Sequence, residues 1–266
     1  TREKNLALNG IAYQVLQILS ENGDSLADNF HIIVNDHGDY AFDVEEGFTL
    51  NRFRADVYGE AQIDNLSDEQ KNATAAQMMD YLTGSNGFSI VLYGKDAYTD
   101  EELAAHSLPK ELTKQEILEI AIMRYQLNTN SFKKYMPVTI ATNVSEKSVA
   151  AIKENQSALQ GIDIVEDSTR QYVEDESMAP ILGYTGQASS EELETLRKDN
   201  PDYSNDAIVG KAGIEQYMEL QLQGKDGEET VTVDNLGKVL DIDNSKTVEP
   251  IAGNDVYLTI DSDWQK

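Results

Sequence analysis

The sequence of 266 residues contains no cysteine, which excludes disulfides, thiolate metal sites and a thiol nucleophile. The absence leaves the compartment open, because oxidising and reducing surroundings both tolerate a cysteine-free chain. Positive charge is scarce: 21 Lys and Arg stand against 48 Asp and Glu, a formal net charge of −27. Such a chain repels phosphate backbones and anionic headgroups at long range, so nucleic acid is excluded as a partner. No apolar run approaches the ~20 residues of a membrane span. The start, Thr1-Arg2-Glu3-Lys4-Asn5, has no signal-peptide core. The expectation is either a cytosolic protein or one separated from its anchor. Internal repeats and low-complexity linkers are lacking too. What is present is ordinary globular usage, 40% hydrophobic and 26% charged residues, with 13 Tyr and 6 Phe to anchor packing, so wholesale disorder is excluded. At roughly 150 residues per domain, the length allows one large domain or two modest ones.

Helical spacing of Leu6, Ile11, Val15, Ile18 and Leu19 predicts a helix from Asn5 to Ser20, stopped by Glu21-Asn22-Gly23-Asp24. Apolar runs on both sides of Asn35-Asp36-His37-Gly38-Asp39 predict a hairpin between Phe30 and Val44. Ser67 with Gln70, Thr99 with Glu102, and Thr113 with Glu116 have capping-box spacing, so three helices are expected to start there. The helix after Thr113 is apolar around most of its surface and should lie deep in the fold. An extended piece, Pro137 to Thr142, precedes a helix capped by Ser145 that ends near Gly161. Residues Ile162 to Tyr172 read as extended, and Ser189 with Glu192 caps a short helix before a polar loop, Lys198 to Asn205. One helix is expected from the glycines at 210 to 213 to about Leu222. A hairpin turning at Asp234-Asn235-Leu236-Gly237 follows, then a strand, Val256 to Ile260, and a helix beginning near Trp264. The fold class is α+β.

Candidate chemistry is thin. His31 and His37 flank the hairpin turn with Asn35, Asp36 and Asp39, but the stretch lacks calcium-loop spacing, and acidic turn residues serve as solvated loop formers; no metal site and no cofactor are assigned. Carboxylate pairs such as Asp100-Glu101-Glu102 and Glu191-Glu192 are too abundant to be informative. No Gly-x-Ser-x-Gly elbow is present. Gly210-Lys211-Ala212-Gly213 lacks the Gly-Lys-Ser/Thr ending of a phosphate loop and reads as a structural glycine turn.

One set of residues points further. Gly210-x-x-Gly213-x-Glu215-x-x-x-Glu219-x-x-Leu222-x-Gly224 resembles the Gly-x-x-Gly-x-Glu signature in the N-terminal pedestal, or dimerisation domain, of class B penicillin-binding proteins. Arg170-Gln171-Tyr172, then Ala179 and Gly183-Tyr184-Thr185-Gly186, resemble the family's Arg-x-Tyr segment and Gly-Tyr-x-Gly turn. Asn254 to Asp261 resembles the strand entering the transpeptidase domain. Two features depart from the pattern: Val173 replaces the usual proline, and the Arg-Gly-x-x-x-Asp-Arg-x-Gly segment that follows the family's membrane anchor is missing. The resemblance covers the last third of the chain closely and residues 1–112 by position only.

The resemblance implies an elongated pedestal with a helical head insertion and β-hairpins: a variable head over 1–112, a core over 113–252, and a junction to the transpeptidase domain over 253–266. It implies a non-catalytic element that positions a serine transpeptidase domain and docks a membrane glycan polymerase and elongation or division scaffold proteins. Anchoring on the outer side of the cell membrane and a possible homodimer are also implied, with the elongation, cell-shape type closer. Lys211 and the other motif residues would be structural or interaction residues. Arg170 and Glu215 would form a charge-assisted network with the helix, against the alternative of two exposed charges; the network is favoured. Gly183, Gly186, Gly210 and Gly213 would permit positive φ or close backbone approach. The catalytic set is missing. Ser107-Leu108-Pro109-Lys110 and Ser131-Phe132-Lys133-Lys134 fit Ser-x-x-Lys, but Ser20-Glu21-Asn22 precedes both and no Lys-Thr/Ser-Gly exists. The rival readings are a secreted peptide-binding or foldase-like module without a transpeptidase partner, and an acid-base enzyme with a carboxylate pair.

Overall fold

A computed structural model describes residues 1–27, 30–129, 137–166, 170–172, 178–204, 207–228, 230–233, 239–243 and 245–260. The chain forms two compact units, Thr1–Ile164 and Val165–Lys266.

In the first unit, α1 (Arg2–Glu21) buries Leu6, Ala12, Val15, Leu16 and Leu19 along one stripe and ends at Asn22, with Gly23 at φ 78°. The first hairpin is β1 (Ile32–Val34) paired antiparallel with β2 (Tyr40–Phe42), and α2 (Phe48–Tyr58) follows. Next come α3 (Asp68–Lys71), α4 (Ala75–Thr83) and α5 (Asp100–Ala105), each begun by a reciprocal capping box, at Ser67, Thr74 and Thr99. Thr113 and Glu116 exchange the same bonds at the start of α6 (Lys114–Thr129).

Helix α6 packs on α1, α4 and β1. Leu118, Ile120, Ala121, Ile122 and Met123 are buried there, as its apolar circumference requires. Phe30, Phe53 and Tyr125 meet edge-to-face at 5.0, 5.2 and 5.9 Å between centroids, the arrangement ring quadrupoles favour. Buried Arg124 reaches the side chains of Asn5 and Asn9 on α1 and covers the Phe88 ring at 5.1 Å. Burial lowers its pKa to about 10. Ser145 caps α7 (Glu146–Glu154), which also packs on α1. The compact units therefore divide at 164/165, whereas the sequence reading places a division at 112/113: α6 and α7 find their apolar partners on α1.

The second unit begins its regular structure with α8 (Ala179–Leu182), β3 (Thr185–Gln187) and α9 (Ser190–Leu196). Strand β4 (Ile208–Gly210) pairs antiparallel with β3, with Gly186 opposite Val209. Leu193, Tyr203, Ala207 and Val209 form a small core. The expected single helix is broken at Met218 (φ −102°, ψ 17°) into α10 (Gly213–Tyr217) and α11 (Glu219–Leu222). A ribbon follows: Lys225 bridges Ile251, Glu228 bridges Val248, and β5 (Val231–Val233) pairs with β6 (Val239–Ile242). The predicted turn at Asp234–Gly237 and the expected helix near Trp264 lie outside the described residues.

Two expected extended pieces carry no strand. Among the described residues, Pro137 to Thr142 has one ladder-like bond, from Ala27 N–H to the Ile140 carbonyl at 2.9 Å, and Val256 to Ile260 has none. Alternating residues favour extension, but a strand also needs a neighbouring backbone to satisfy its N–H and C=O groups. No described helix is long and apolar enough to cross a membrane.

Candidate functional site

The motif residues of the second unit converge on two buried carboxylates. Glu215 and Glu219 stand four residues apart, and each is 4% exposed. Arg170 Nε donates to Glu215 Oε2 at 3.0 Å, and a terminal guanidinium nitrogen donates to the Leu222 carbonyl at 2.6 Å, at the end of α11. Tyr172 Oη donates to the other oxygen of Glu215 at 3.0 Å. One cation thus satisfies a carboxylate and a helix-terminal carbonyl, two groups that are costly to leave unpaired.

Glu219 is held by neutral donors. Tyr203 Oη donates to Oε1 at 2.9 Å and the Gly210 N–H donates to Oε2 at 2.7 Å. Burial, then the Glu219 carboxylate, pushes the Tyr203 hydroxyl up; burial, then Glu215, does the same to Tyr172. Tyr203, expected in a polar loop, is a buried anchor, and its carbonyl accepts from Arg197 Nε at 2.9 Å.

The glycines allow these elements to meet. Gly183 and Gly213 both have positive φ, 83° and 61°, and a Cβ on Gly183 would lie 1.9 Å from the Ala212 carbonyl oxygen. A Cβ on Gly210 would lie 2.2 Å from the Glu215 carbonyl carbon, and one on Gly224 would lie 2.3 Å from the Ile251 oxygen. Gly186 differs from the expectation. It has no positive φ, and among the described residues a Cβ there would touch Lys211 methylenes at 3.4 Å, so neither backbone strain nor close packing against those residues calls for glycine. Tyr184 is 63% exposed.

Lys211, weighed in sequence as a phosphate-loop cation, donates to Glu192 Oε2 at 2.6 Å. Glu192 also accepts from the Ser189 N–H and hydroxyl at the start of α9. Sequence reasoning found the Ser189–Glu192 cap and missed its pairing with Lys211, since no local pattern joins residues 19 apart.

The arrangement binds and braces; its carboxylates are filled by donors from the chain. Lys110, the partner residue of the Ser107-x-x-Lys110 match, pairs with the Asp100 carboxylate. Ser131 lies outside the described residues. His31 pairs with Asp43 at 3.1 Å, and the His37 N–H bonds Asn35 Oδ1. No group of three or more His, Asp or Glu suited to a metal occurs among the described residues.

A family model described as "Penicillin-binding Protein dimerisation domain" matches residues 17–258. Over 150 residues the chain is 33% identical to the peptidoglycan D,D-transpeptidase MrdA of Salmonella typhimurium, a match covering 56% of this chain and 23% of that protein. It is 27% identical over 163 residues to penicillin-binding protein 3 of Bacillus subtilis, covering 58% of this chain and 23% of the relative. The chain thus spans under a quarter of the length of these curated relatives. Penicillin-binding protein 2B of Streptococcus pneumoniae overlays with a TM-score of 0.42 at 19% identity, covering 97% of this chain and 35% of that one.

Proposed function

The chain belongs to the penicillin-binding protein dimerisation-domain family, and from that premise we propose that it is the non-catalytic pedestal of a class B peptidoglycan transpeptidase. In this reading it holds a serine transpeptidase domain at a fixed height and angle, outside an anchoring membrane. It also offers surfaces to a membrane glycan polymerase and to elongation or division scaffold proteins. The elongation, cell-shape type is the nearer reading, on the Tyr184-Thr185-Gly186 and Val209–Glu215 wording.

The observation that supports it is the use of the motif residues. Arg170, Tyr172, Gly210, Glu215 and Glu219 are spent on one another, tying the segment around 170 to β4, α10 and α11. A catalytic site would instead aim such groups at a cleft where a substrate could reach them.

Fluorescent penicillin labelling tests the reading, applied to residues 1–266 and to the same gene's product extended well past Lys266. Labelling of the longer product alone is expected. Labelling of neither would remove the transpeptidase reading. Labelling of residues 1–266 would overturn the non-catalytic assignment and direct attention to Ser107 or Ser131.

A further inference from the structure

Three Asn-Gly pairs occur in the sequence: Asn9-Gly10, Asn22-Gly23 and Asn86-Gly87. Such a pair carries a reaction of its own, and asparagine is counted among the thermolabile residues for that reason. The backbone nitrogen of the following residue attacks the carbonyl carbon of the asparagine side chain, and glycine presents no Cβ to hinder the approach. Whether the reaction proceeds depends on how firmly the fold holds the side-chain amide.

The fold holds the three amides differently. Asn9 lies inside α1 and is 1% exposed; its Nδ2 donates to the Phe88 and Ser89 carbonyls at 3.1 and 3.2 Å, and its Oδ1 accepts from Arg124. Asn22 closes the end of α1, and its Nδ2 donates to the Ile18 carbonyl at 2.8 Å. Asn86 is exposed in the turn after α4, and nothing among the described residues bonds its side chain. The glycine beside it is required by the fold, since a Cβ on Gly87 would lie 2.2 Å from the Leu82 carbonyl oxygen. The turn thus combines an obligatory glycine with an amide that the described residues leave unrestrained.

We propose that Asn86 is a site of spontaneous covalent modification. The Gly87 nitrogen loses its proton and bonds to Asn86 Cγ, the Cγ–Nδ2 bond breaks, and the amide nitrogen leaves as ammonia, giving a cyclic succinimide. Water then opens the ring. Breaking the bond from the Gly87 nitrogen to Cγ leaves aspartate, whereas breaking its bond to the main-chain carbonyl carbon leaves isoaspartate, whose backbone runs through Cβ and Cγ and is longer by an atom. The balance is a water consumed and an ammonia released, with no oxidant, reductant or cofactor.

The lengthened backbone enters a segment whose register matters. The Phe88 N–H donates to the Leu82 carbonyl at 2.6 Å and the Ile90 N–H to the Thr83 carbonyl at 2.7 Å, while the Ser89 carbonyl accepts from Asn9 and from the Tyr98 hydroxyl. Through those bonds the turn is fastened to α1. Isoaspartate at 86 displaces the donors and acceptors that follow it, and hydrogen bonds weaken steeply when misaligned; aspartate adds only a charge at an exposed position. The change is one-way, so the chain accumulates it with age.

Peptide mapping by mass spectrometry of the folded chain, held in mildly alkaline buffer, tests the inference, with isoaspartate read as methyl uptake from S-adenosylmethionine by an isoaspartyl methyltransferase. Conversion at Asn86 is expected to outrun conversion at Asn22 and at Asn9 by roughly tenfold or more, and Asn86→Ser should remove most of the methyl uptake. Asn86 converting no faster than Asn22, or converting only when the chain is unfolded in denaturant, would overturn the site. In the purified isoaspartyl chain, amide hydrogens at residues 88–91 should exchange roughly tenfold faster than in wild type, while Asn86→Asp should match wild type. Equal protection in the isoaspartyl and wild-type chains would overturn the loosening of the turn. Penicillin labelling has no bearing on either result, so the inference stands or falls apart from the pedestal reading.

Discussion

Arg170 and Glu215 are unequal partners, with side chains 29% and 5% exposed. Removing the arginine leaves a buried carboxylate facing, among the described residues, the Tyr172 hydroxyl, and an unpaired buried charge costs roughly 3 kcal/mol or more. Removing the charge of the glutamate, by Glu215→Gln, keeps an oxygen acceptor of the same shape and leaves an arginine that water can reach, a loss of about 1 kcal/mol. Arg170→Ala is therefore expected to destabilise the second unit more than Glu215→Gln does, read as amide hydrogen exchange over residues 208–223. Equal losses below about 0.5 kcal/mol for both would mean that the pair behaves like a surface salt bridge. The Arg170–Glu215 pairing could be reached in sequence through the family pattern, because both residues belong to it. Tyr203 could not: it sits in a polar stretch without periodicity, and its burial rests on packing with Leu193 and Val209 and on its bond to Glu219, all distant from that stretch's own pattern.

Among the elements, α9 depends on a carboxylate with two duties. Glu192 closes the capping box with Ser189 and receives Lys211 from the end of β4. Lys211 first, then the Ser189 bonds, lower its pKa to about 2, from an ordinary 4.5. A folded-state value below the unfolded one means stability present above about pH 4.5 and lost as pH falls toward about 2. Carbon-detected titration of the Glu192 carboxyl should therefore show a midpoint near the lower value, and Lys211→Ala should raise it part of the way to 4.5, the Ser189 bonds remaining. A midpoint that does not move would show that the cap alone sets it. Helix starts of this kind are legible in sequence because the capping box is local, and α3, α5, α6 and α9 all begin where their boxes place them. Helix α4 carries the same signal at Thr74 and Gln77, which the sequence reading missed. The break at Met218 and the absence of ladder bonds to Val256–Ile260 among the described residues were not legible, since both depend on distant partners.

At the scale of the whole molecule, the net charge of −27 opposes the compact state, because like charges repel more strongly in the folded chain than in the extended one. The repulsion is screened by salt, with a Debye length of about 10 Å at 0.1 M and about 3 Å at 1 M. Salt also weakens ion pairs at the surface, such as Arg52–Asp56 and Lys246–Asp243, but exposed pairs of this kind contribute little individually. The melting midpoint of the chain should therefore rise with sodium chloride between ~0.02 and ~0.5 M, followed by circular dichroism. The sign is the decisive part. A midpoint that fell with salt would mean that the ion pairs outweigh the excess of negative charge. The total charge was readable from composition at once; which of the few cations are paired, and with which carboxylates, depends on contacts between residues far apart in sequence, as Arg170 and Glu215 are.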